Sequence, residues 1–361
     1  MGLKLTLTDR EIPTSPSFIE FLHAIITGND HYVGSWYRQE EEGMHRDQDR
    51  YQDIQQKANE VLADPRGQQW ILRSYRFFKE MLTGRPDQLR DITRYRFFFV
   101  IGIPRTGGTY VTKQLFRAGN IDYKKVQNAL AHDGFPHLGH LSFRGAGNVH
   151  TSGLLQLAEY LTMVDVFFKE HGRLAYQGGV VVPKKFTKSV YYFDLIRELF
   201  GEKSHYLVTL RHPLSVTQSV LDKAGGLPEN RKFHLRSAIE RWALDDWVHW
   251  GENEQRVLNM NYVEAFAGYW KRFHYQLAIS GIPRMPTCQI IPYGEESMTD
   301  TIRHWYKEFD VELEPETFKV APRPEFESDE ELVGEQTLDD VAQFWSGLGL
   351  KFPLEKLRER H

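Results

Sequence analysis

What most constrains this chain is a continuous apolar run, Phe97-Phe98-Phe99-Val100-Ile101-Gly102-Ile103, that breaks straight into Pro104-Arg105-Thr106-Gly107-Gly108-Thr109-Tyr110-Val111. A β-prone run with no polar alternation suits a strand covered on both faces, as a parallel strand is inside a helix-covered sheet. The adjacent glycines remove side chains where the chain must turn, and residues 110–118 then take up helical spacing. Strand, glycine-rich loop and helix in that order aim backbone amides and a helix N-terminus at one place, which suits an anion.

Shorter runs of the same texture recur at Gly179-Val180-Val181-Val182, Tyr206-Leu207-Val208-Thr209-Leu210 and Cys288-Gln289-Ile290-Ile291. Helix-periodic stretches separate them at 110–118, 152–169, 189–200, 213–224, 233–250 and 261–280, and Ser297 to Phe309 adds another. Strands alternating with helices predict an α/β, P-loop-like three-layer fold, a central parallel sheet flanked by helices. Residues 1–95 read as an N-terminal helical region that forms one compact unit with the α/β domain, 96–361, as a cap or a dimerisation element. Ser15-Pro16-Ser17 introduces Phe18, Ile19, Leu22, Ile25 and Ile26 on one face. Asp64-Pro65 opens a helix carrying Trp70, Ile71, Tyr75, Phe78 and Leu82, with Gly84 as its stop. The acidic stretch 325–335 reads as a solvated loop, and Trp242, Trp247, Trp250 and Trp270 as core packing.

The net charge of −4 over 361 residues leaves no basic field for nucleic acid, so that class of partner is not expected. The one cysteine, Cys288, excludes an intrachain disulfide and a cysteine-based zinc cluster, and a cytoplasmic, reducing location is the plain expectation. No apolar run approaches the roughly 18 residues of a membrane span. Met1-Gly2-Leu3-Lys4-Leu5-Thr6 lacks the apolar stretch of a signal peptide, although Gly2 and Thr6 fit the short N-myristoylation pattern.

Against the nucleotide-hydrolase pattern G-x-x-x-x-G-K-S/T, Gly102, Gly107 and Thr109 fit, but position 108, where the lysine belongs, is glycine. That lysine holds the β- and γ-phosphates, so its loss argues against turnover of ATP or GTP. The cation has moved to Arg105, where it meets a group carried on a single 5′-phosphate. A magnesium-binding aspartate at a strand end is also missing: Asp165, the nearest candidate, closes Tyr160-Leu161-Thr162-Met163-Val164-Asp165 inside a helix-periodic stretch. A metal-free site that uses cations in place of the ion follows. The histidines His132, His137 and His140 match no common ligand spacing and have no cysteine to support them.

Pro104-Arg105-Thr106-Gly107-Gly108-Thr109-Tyr110 resembles the 5′-phosphosulfate loop of sulfotransferases that use 3′-phosphoadenosine-5′-phosphosulfate (PAPS), whose pattern is P-K/R-S/T-G-T/G-T-W/Y/L. Leu207-Val208-Thr209-Leu210-Arg211-His212-Pro213, with Ser219 eight residues after the arginine, is similar to the family's 3′-phosphate element. Cys288 to Ser297 looks like the family's late strand and the turn before a C-terminal helix. The resemblance spans roughly residues 96–310 and implies sulfuryl transfer to an acceptor hydroxyl or amine, leaving adenosine 3′,5′-bisphosphate. In that reading Arg105, Thr106, Gly107, Gly108 and Thr109 hold the 5′ group, Tyr110 stacks on the adenine, and Arg211 with Ser219 holds the 3′-phosphate.

The chain departs from the family at the general base. Cytosolic members carry K-S/T-H-L-P after the middle strand, whereas here Val182-Pro183-Lys184-Lys185-Phe186-Thr187 has no histidine. His132, with Asp133 and His137 behind it, is the candidate base, since an imidazole titrates near neutral pH. Lys184 or Lys185 is the candidate for steadying the transferring sulfuryl group. The family's basic R-K-G loop near the C-terminus is absent, with Arg323 a weak substitute. The acceptor class stays open between small molecules, glycans and lipids, and self-association is compatible with all of them. A P-loop kinase or nucleotide hydrolase, and a non-catalytic binder of adenosine bisphosphate, are the competing readings.

Overall fold

The fold is given by a computed structural model that describes residues 3–7, 10–29, 48–83, 94–131, 149–187, 193–322 and 325–359. Gly2, Gly84, His132, Asp133, His137, His140 and Arg323 lie outside those residues.

In chain order the elements are β1 (Leu3–Leu7), β2 (Arg10–Thr14), α1 (Pro16–Thr27), α2 (Gln48–Ala63), α3 (Pro65–Leu82), β3 (Tyr95–Ile101), α4 (Gly108–Ala118) and α5 (Tyr123–Val126). There follow α6 (Val149–His171), β4 (Ala175–Tyr176), β5 (Gly179–Lys185), α7 (Phe193–Phe200), β6 (His205–Leu210), α8 (Pro213–Ala224), α9 (Ala238–His249) and α10 (Glu254–Leu258). The chain closes with α11 (Tyr262–Ile279), β7 (Cys288–Pro292), α12 (Glu295–Glu308), α13 (Ser328–Gly347) and α14 (Leu354–Arg358).

The α/β class holds: a five-stranded sheet in the order β4-β5-β3-β6-β7 is flanked by helices. It is mixed and not wholly parallel as the repeated apolar runs predict, because β4 doubles back on β5 as a short antiparallel partner. The β3–β6 and β6–β7 pairs are parallel, with Phe98 opposite His205 and Leu210 opposite Pro292. Every residue of β6 is buried, which is why its sequence shows no polar alternation. After β3 the chain goes to β5 on one side and then to β6 on the other. The order therefore reverses at the β3–β6 boundary, the place where open α/β sheets leave a crevice beyond the strand ends.

By packing, the chain divides into one unit of Met1–Phe97 with Leu115–Lys185 and another of Phe98–Gln114 with Phe186–His361. The first is not purely helical at its start, since β1 and β2 pair as an antiparallel hairpin, Leu3 opposite Thr14. Ser15 then caps α1, its hydroxyl accepting from the Phe18 amide. The Ser15 amide and hydroxyl both donate to the buried Glu159 carboxylate of α6, at 2.7 and 2.5 Å, so both oxygens of that acid are hydrogen-bonded. Asp165 of α6 accepts from the Tyr95 hydroxyl at 2.7 Å and pairs with Arg73 at 3.0 Å and with Arg94. It stands on a helix, not at a strand end.

Helix α3 buries Gly67, Ile71, Ser74, Phe77 and Met81, a face rotated from the one expected, and leaves Leu82 exposed. The Phe77-Phe78 doublet lets two stripes satisfy the helical period, and packing against α6 selects between them.

In the second unit Phe98 and Phe99 of β3 anchor the core. Phe98 stacks on His205 at 4.5 Å and meets Trp305 edge-on at 4.8 Å, while Phe99 packs on Phe200 and Tyr206. Residues 328–335, expected as a solvated loop, begin α13. Asp329, Glu330 and Glu331 fill its first turn, where carboxylates favour the helix N-terminus, and the buried Glu330 is paired by Arg231. Trp270 and Trp345 are core, but Trp250 is 48% exposed and meets only the edge of its neighbour His249 among the ring contacts of the described residues. Among the described residues no helix is long and apolar enough to cross a membrane.

Candidate functional site

Two loops leave the carboxyl ends of the adjacent parallel strands β3 and β6 and meet in the second unit. The first begins at Gly102, which has no room for a side chain: an added Cβ would strike the Thr209 hydroxyl and carbonyl and the Thr106 hydroxyl. Arg105 and Gly107 then take left-handed backbone angles, φ 75° and φ 89°. Glycine accepts this freely, whereas an arginine there costs about 1–2 kcal/mol. A Cβ at Gly107 would run into the Met298 terminal methyl and approach the Phe318 ring.

Three contacts hold the strained arginine. Its Nε donates to Ser219 Oγ at 2.8 Å, its carbonyl accepts from Arg211 Nη1 at 3.0 Å, and its neighbour Thr106 is locked by bonds to the Ile103 carbonyl and the Thr209 hydroxyl. Arg105, Arg211 and Ser219, singled out in separate motifs, are thus brought together. The Thr106 side chain is buried and spends its hydroxyl within the protein, so any part it takes in binding falls to its backbone. Gly108 opens α4, and Thr109 in its first turn is exposed.

Arg211 is 5% exposed, with its Nε buried and without a hydrogen-bond partner. Its guanidinium lies 4.1 Å from the Tyr293 ring centre, and its carbonyl accepts from Trp270 Nε1 at 3.0 Å. Among the described residues neither Arg105 nor Arg211 is paired with a carboxylate. Burial pulls both guanidinium pKa values below their ordinary range, and the Arg105 charge lowers that of Arg211 further. A buried cation with an unsatisfied donor beside a half-buried like charge carries a standing cost that an anion would relieve.

His212 caps α8. Its Nδ1 accepts from the Leu214 amide at 3.2 Å, which fixes the proton on Nε2 and lets it donate to Glu335 at 3.2 Å. Ser219 stands two turns into that helix. Arg211, His212, Ser215, Tyr293, Lys356 and Glu359 line one pocket.

Tyr110 is half-buried at the start of α4. Its ring lies 4.9 Å from Phe318, which in turn meets Tyr293 edge-on at 5.1 Å. The Tyr110 hydroxyl donates to the Glu316 carbonyl, and the Ala321 amide donates to the Tyr293 hydroxyl at 3.2 Å. Segment 311–322 therefore adds an aromatic ring beside the loop, held further by Phe318 N to Thr299 Oγ1 at 3.0 Å. Phe318 and Lys356 belong to no motif and are not legible as site residues. Tyr293 stands in the late strand-and-turn stretch, and its position straight after an apolar strand was the available signal.

Lys184 belongs to the first unit, near the end of β5. It is 2% exposed, with its ammonium 4.6 Å from the Tyr160 ring centre, a cation–π contact and not a solvated lysine. Lys185 beside it is half-buried. The base candidate His132 lies outside the described residues. Among those described, no group of three or more His, Cys, Asp or Glu side chains is placed to hold a metal ion.

No protein-family model matches the chain, and no curated protein matches it.

Proposed function

We propose that this chain is a PAPS-dependent sulfotransferase with a P-loop-like α/β fold. The observation that carries the reading is the pair of a half-buried Arg105 and a buried Arg211, without carboxylate partners among the described residues and converging from the two motifs that resemble the family's phosphate elements. The residues fit such a ligand. Gly107 keeps side-chain bulk out of the loop, the Arg211 Nε is an unspent donor, and Tyr110, Phe318 and Tyr293 supply aromatic surface for a purine.

PAPS would supply an activated sulfuryl group on its 5′-phosphate. Arg105, with the amides of Gly107 and Gly108 and the Thr109 hydroxyl, would neutralise charge that grows on the departing phosphate oxygen. Arg211 and Ser219 would hold the 3′-phosphate and so distinguish the donor from a plain adenylate. His132, with Asp133 and His137 behind it, is proposed to take the acceptor proton, and Lys184 or Lys185 to offset charge on the sulfuryl oxygens. The acceptor is a small molecule, a glycan or a lipid with a hydroxyl or amine.

The kinase or hydrolase reading is disfavoured by Gly108 in the lysine position and by Asp165 lying on a helix among arginines. Melting experiments separate the readings. Adenosine 3′,5′-bisphosphate at about 100 times its dissociation constant should add roughly 2.7 kcal/mol of stability without magnesium. A clear shift with magnesium-ATP and none with the bisphosphate would sink the proposal. Binding of the bisphosphate without sulfuryl transfer to any acceptor in a broad panel would leave a non-catalytic binder.

A further inference from the structure

The pocket beside Arg211 is walled partly by the end of the chain. Leu357 is buried and seats α14, while Lys356 and Glu359 line the pocket with Arg211, His212, Ser215 and Tyr293. The same carboxylate joins the two walls: Glu335 of α13 accepts from His212 at 3.2 Å and from Arg358 Nε at 3.0 Å, and Arg358 also bonds Asp339 at 2.6 Å. The residue that follows Arg211 and caps α8 is therefore tied through one acid to the helix that carries Lys356. Among the described residues Lys356 has no carboxylate partner, although Arg358 two positions on has several.

Arg211, nearly fully buried with an unspent Nε, thus lines one pocket together with a second cation, Lys356, and with Ser215. We infer that α14 is a C-terminal clasp on the proposed nucleotide site and that Lys356 is a further binding residue, pairing with the same phosphate monoester as Arg211. This inference rests on the reading of Arg211 as the 3′-phosphate contact. A single ammonium on that group should favour the doubly phosphorylated nucleotide and contribute nothing to one that lacks the 3′-phosphate. Glu359 on the same wall should oppose it.

Calorimetric titration of the full chain with adenosine 3′,5′-bisphosphate and with adenosine 5′-monophosphate tests this. Lys356→Ala should weaken the bisphosphate roughly 10- to 100-fold, as for loss of one charged hydrogen bond, and leave the monophosphate within about twofold. Lys356→Arg should bind nearly as the parent does, and Glu359→Gln should bind the bisphosphate more tightly. Lys356→Gln serves as a second neutral variant, and circular dichroism melts establish that each is folded. If the parent prefers the bisphosphate but Lys356→Ala and Lys356→Gln keep that preference, the clasp is wrong and the nucleotide reading stands. Equal loss of both nucleotides also overturns the clasp. If the parent does not distinguish the two nucleotides, the reading of Arg211 fails and the clasp fails with it.

Discussion

Arg105 Nε donates to Ser219 Oγ at 2.8 Å across 114 positions of sequence. The bond runs between the loop after β3 and the second turn of α8, so the residue proposed for the 5′ end of the donor is steadied by one proposed for its 3′ end. Together with the Arg211-to-Arg105 carbonyl bond, it makes the two motifs a single site, in which displacing either arginine disturbs the other. A cooperative unit of this kind should respond non-additively to paired substitutions.

Arg105→Ala should separate catalysis from binding. Its guanidinium sits at the turn where the scissile oxygen is proposed to rest, so its contact should strengthen as that oxygen gains charge. Single-turnover sulfuryl transfer should slow by roughly 10²- to 10³-fold, with a much smaller loss of donor affinity by calorimetry. Arg105→Lys should recover part of the rate without the planar two-pronged contact. Full activity in Arg105→Ala would discard the mechanism.

Arg211→Ala should discriminate between ligands. The substitution removes a charge-assisted contact, about 1.5–3 kcal/mol, from any ligand with a 3′-phosphate and little from adenosine 5′-phosphosulfate. It also removes the Nη1 donor to the Arg105 carbonyl, so a small common loss is expected for both ligands. A common loss as large as the specific one would place the arginine on the wrong phosphate.

What could be read from sequence, and what could not, follows from how local each signal is. Phe97 to Tyr110 announces strand, turn and helix within one short stretch, because the apolar run and the glycines act on their own neighbourhood. Leu3, Leu5 and Leu7 alternate as a strand should, but a single hairpin ahead of a long helical region is easily read past. Asp329 to Glu331 look solvated until α13 is seen to seat them at its N-terminus and pair Glu330 with Arg231. Phe318 and Lys356 reach the site only through tertiary packing, from a segment without periodicity and from the last short helix, so no spacing rule finds them. The buried face of α3 escapes for the opposite reason, since two stripes fit the period equally well.

Gly102→Ala should destabilise the fold itself. The new methyl would meet the Thr209 carbonyl and hydroxyl and the Thr106 hydroxyl, the carbonyl fixed by the strand backbone and the two hydroxyls by their buried bond to each other. Overpacking of this sort costs about 1–3 kcal/mol. Urea unfolding should show the midpoint fall by a corresponding amount with an unchanged slope. An unaltered midpoint would mean that the β3–β6 ends are farther apart than described.

The last prediction concerns acid. His274 of α11 is fully buried beside Trp270 and Phe352; its Nδ1 donates to the Trp270 carbonyl at 2.7 Å, and its Nε2 has no hydrogen-bond partner. Burial pushes its pKa down to about 3, only partly offset by the carbonyl contact, against an ordinary value of 6.5. The unfolded chain therefore takes up this proton first. Stability from the neutral ring is complete above the ordinary value and is lost as pH falls from there toward about 3. Within that window this one group contributes a slope approaching 1.4 kcal/mol per pH unit, roughly the energy of one pKa unit. Urea unfolding at about pH 7.5 and about pH 5 should show a large loss in the parent and a distinctly smaller one in His274→Leu, whatever the variant's absolute stability. The same pH-dependent loss in both proteins would show that His274 is already hydrated or charged in the folded state.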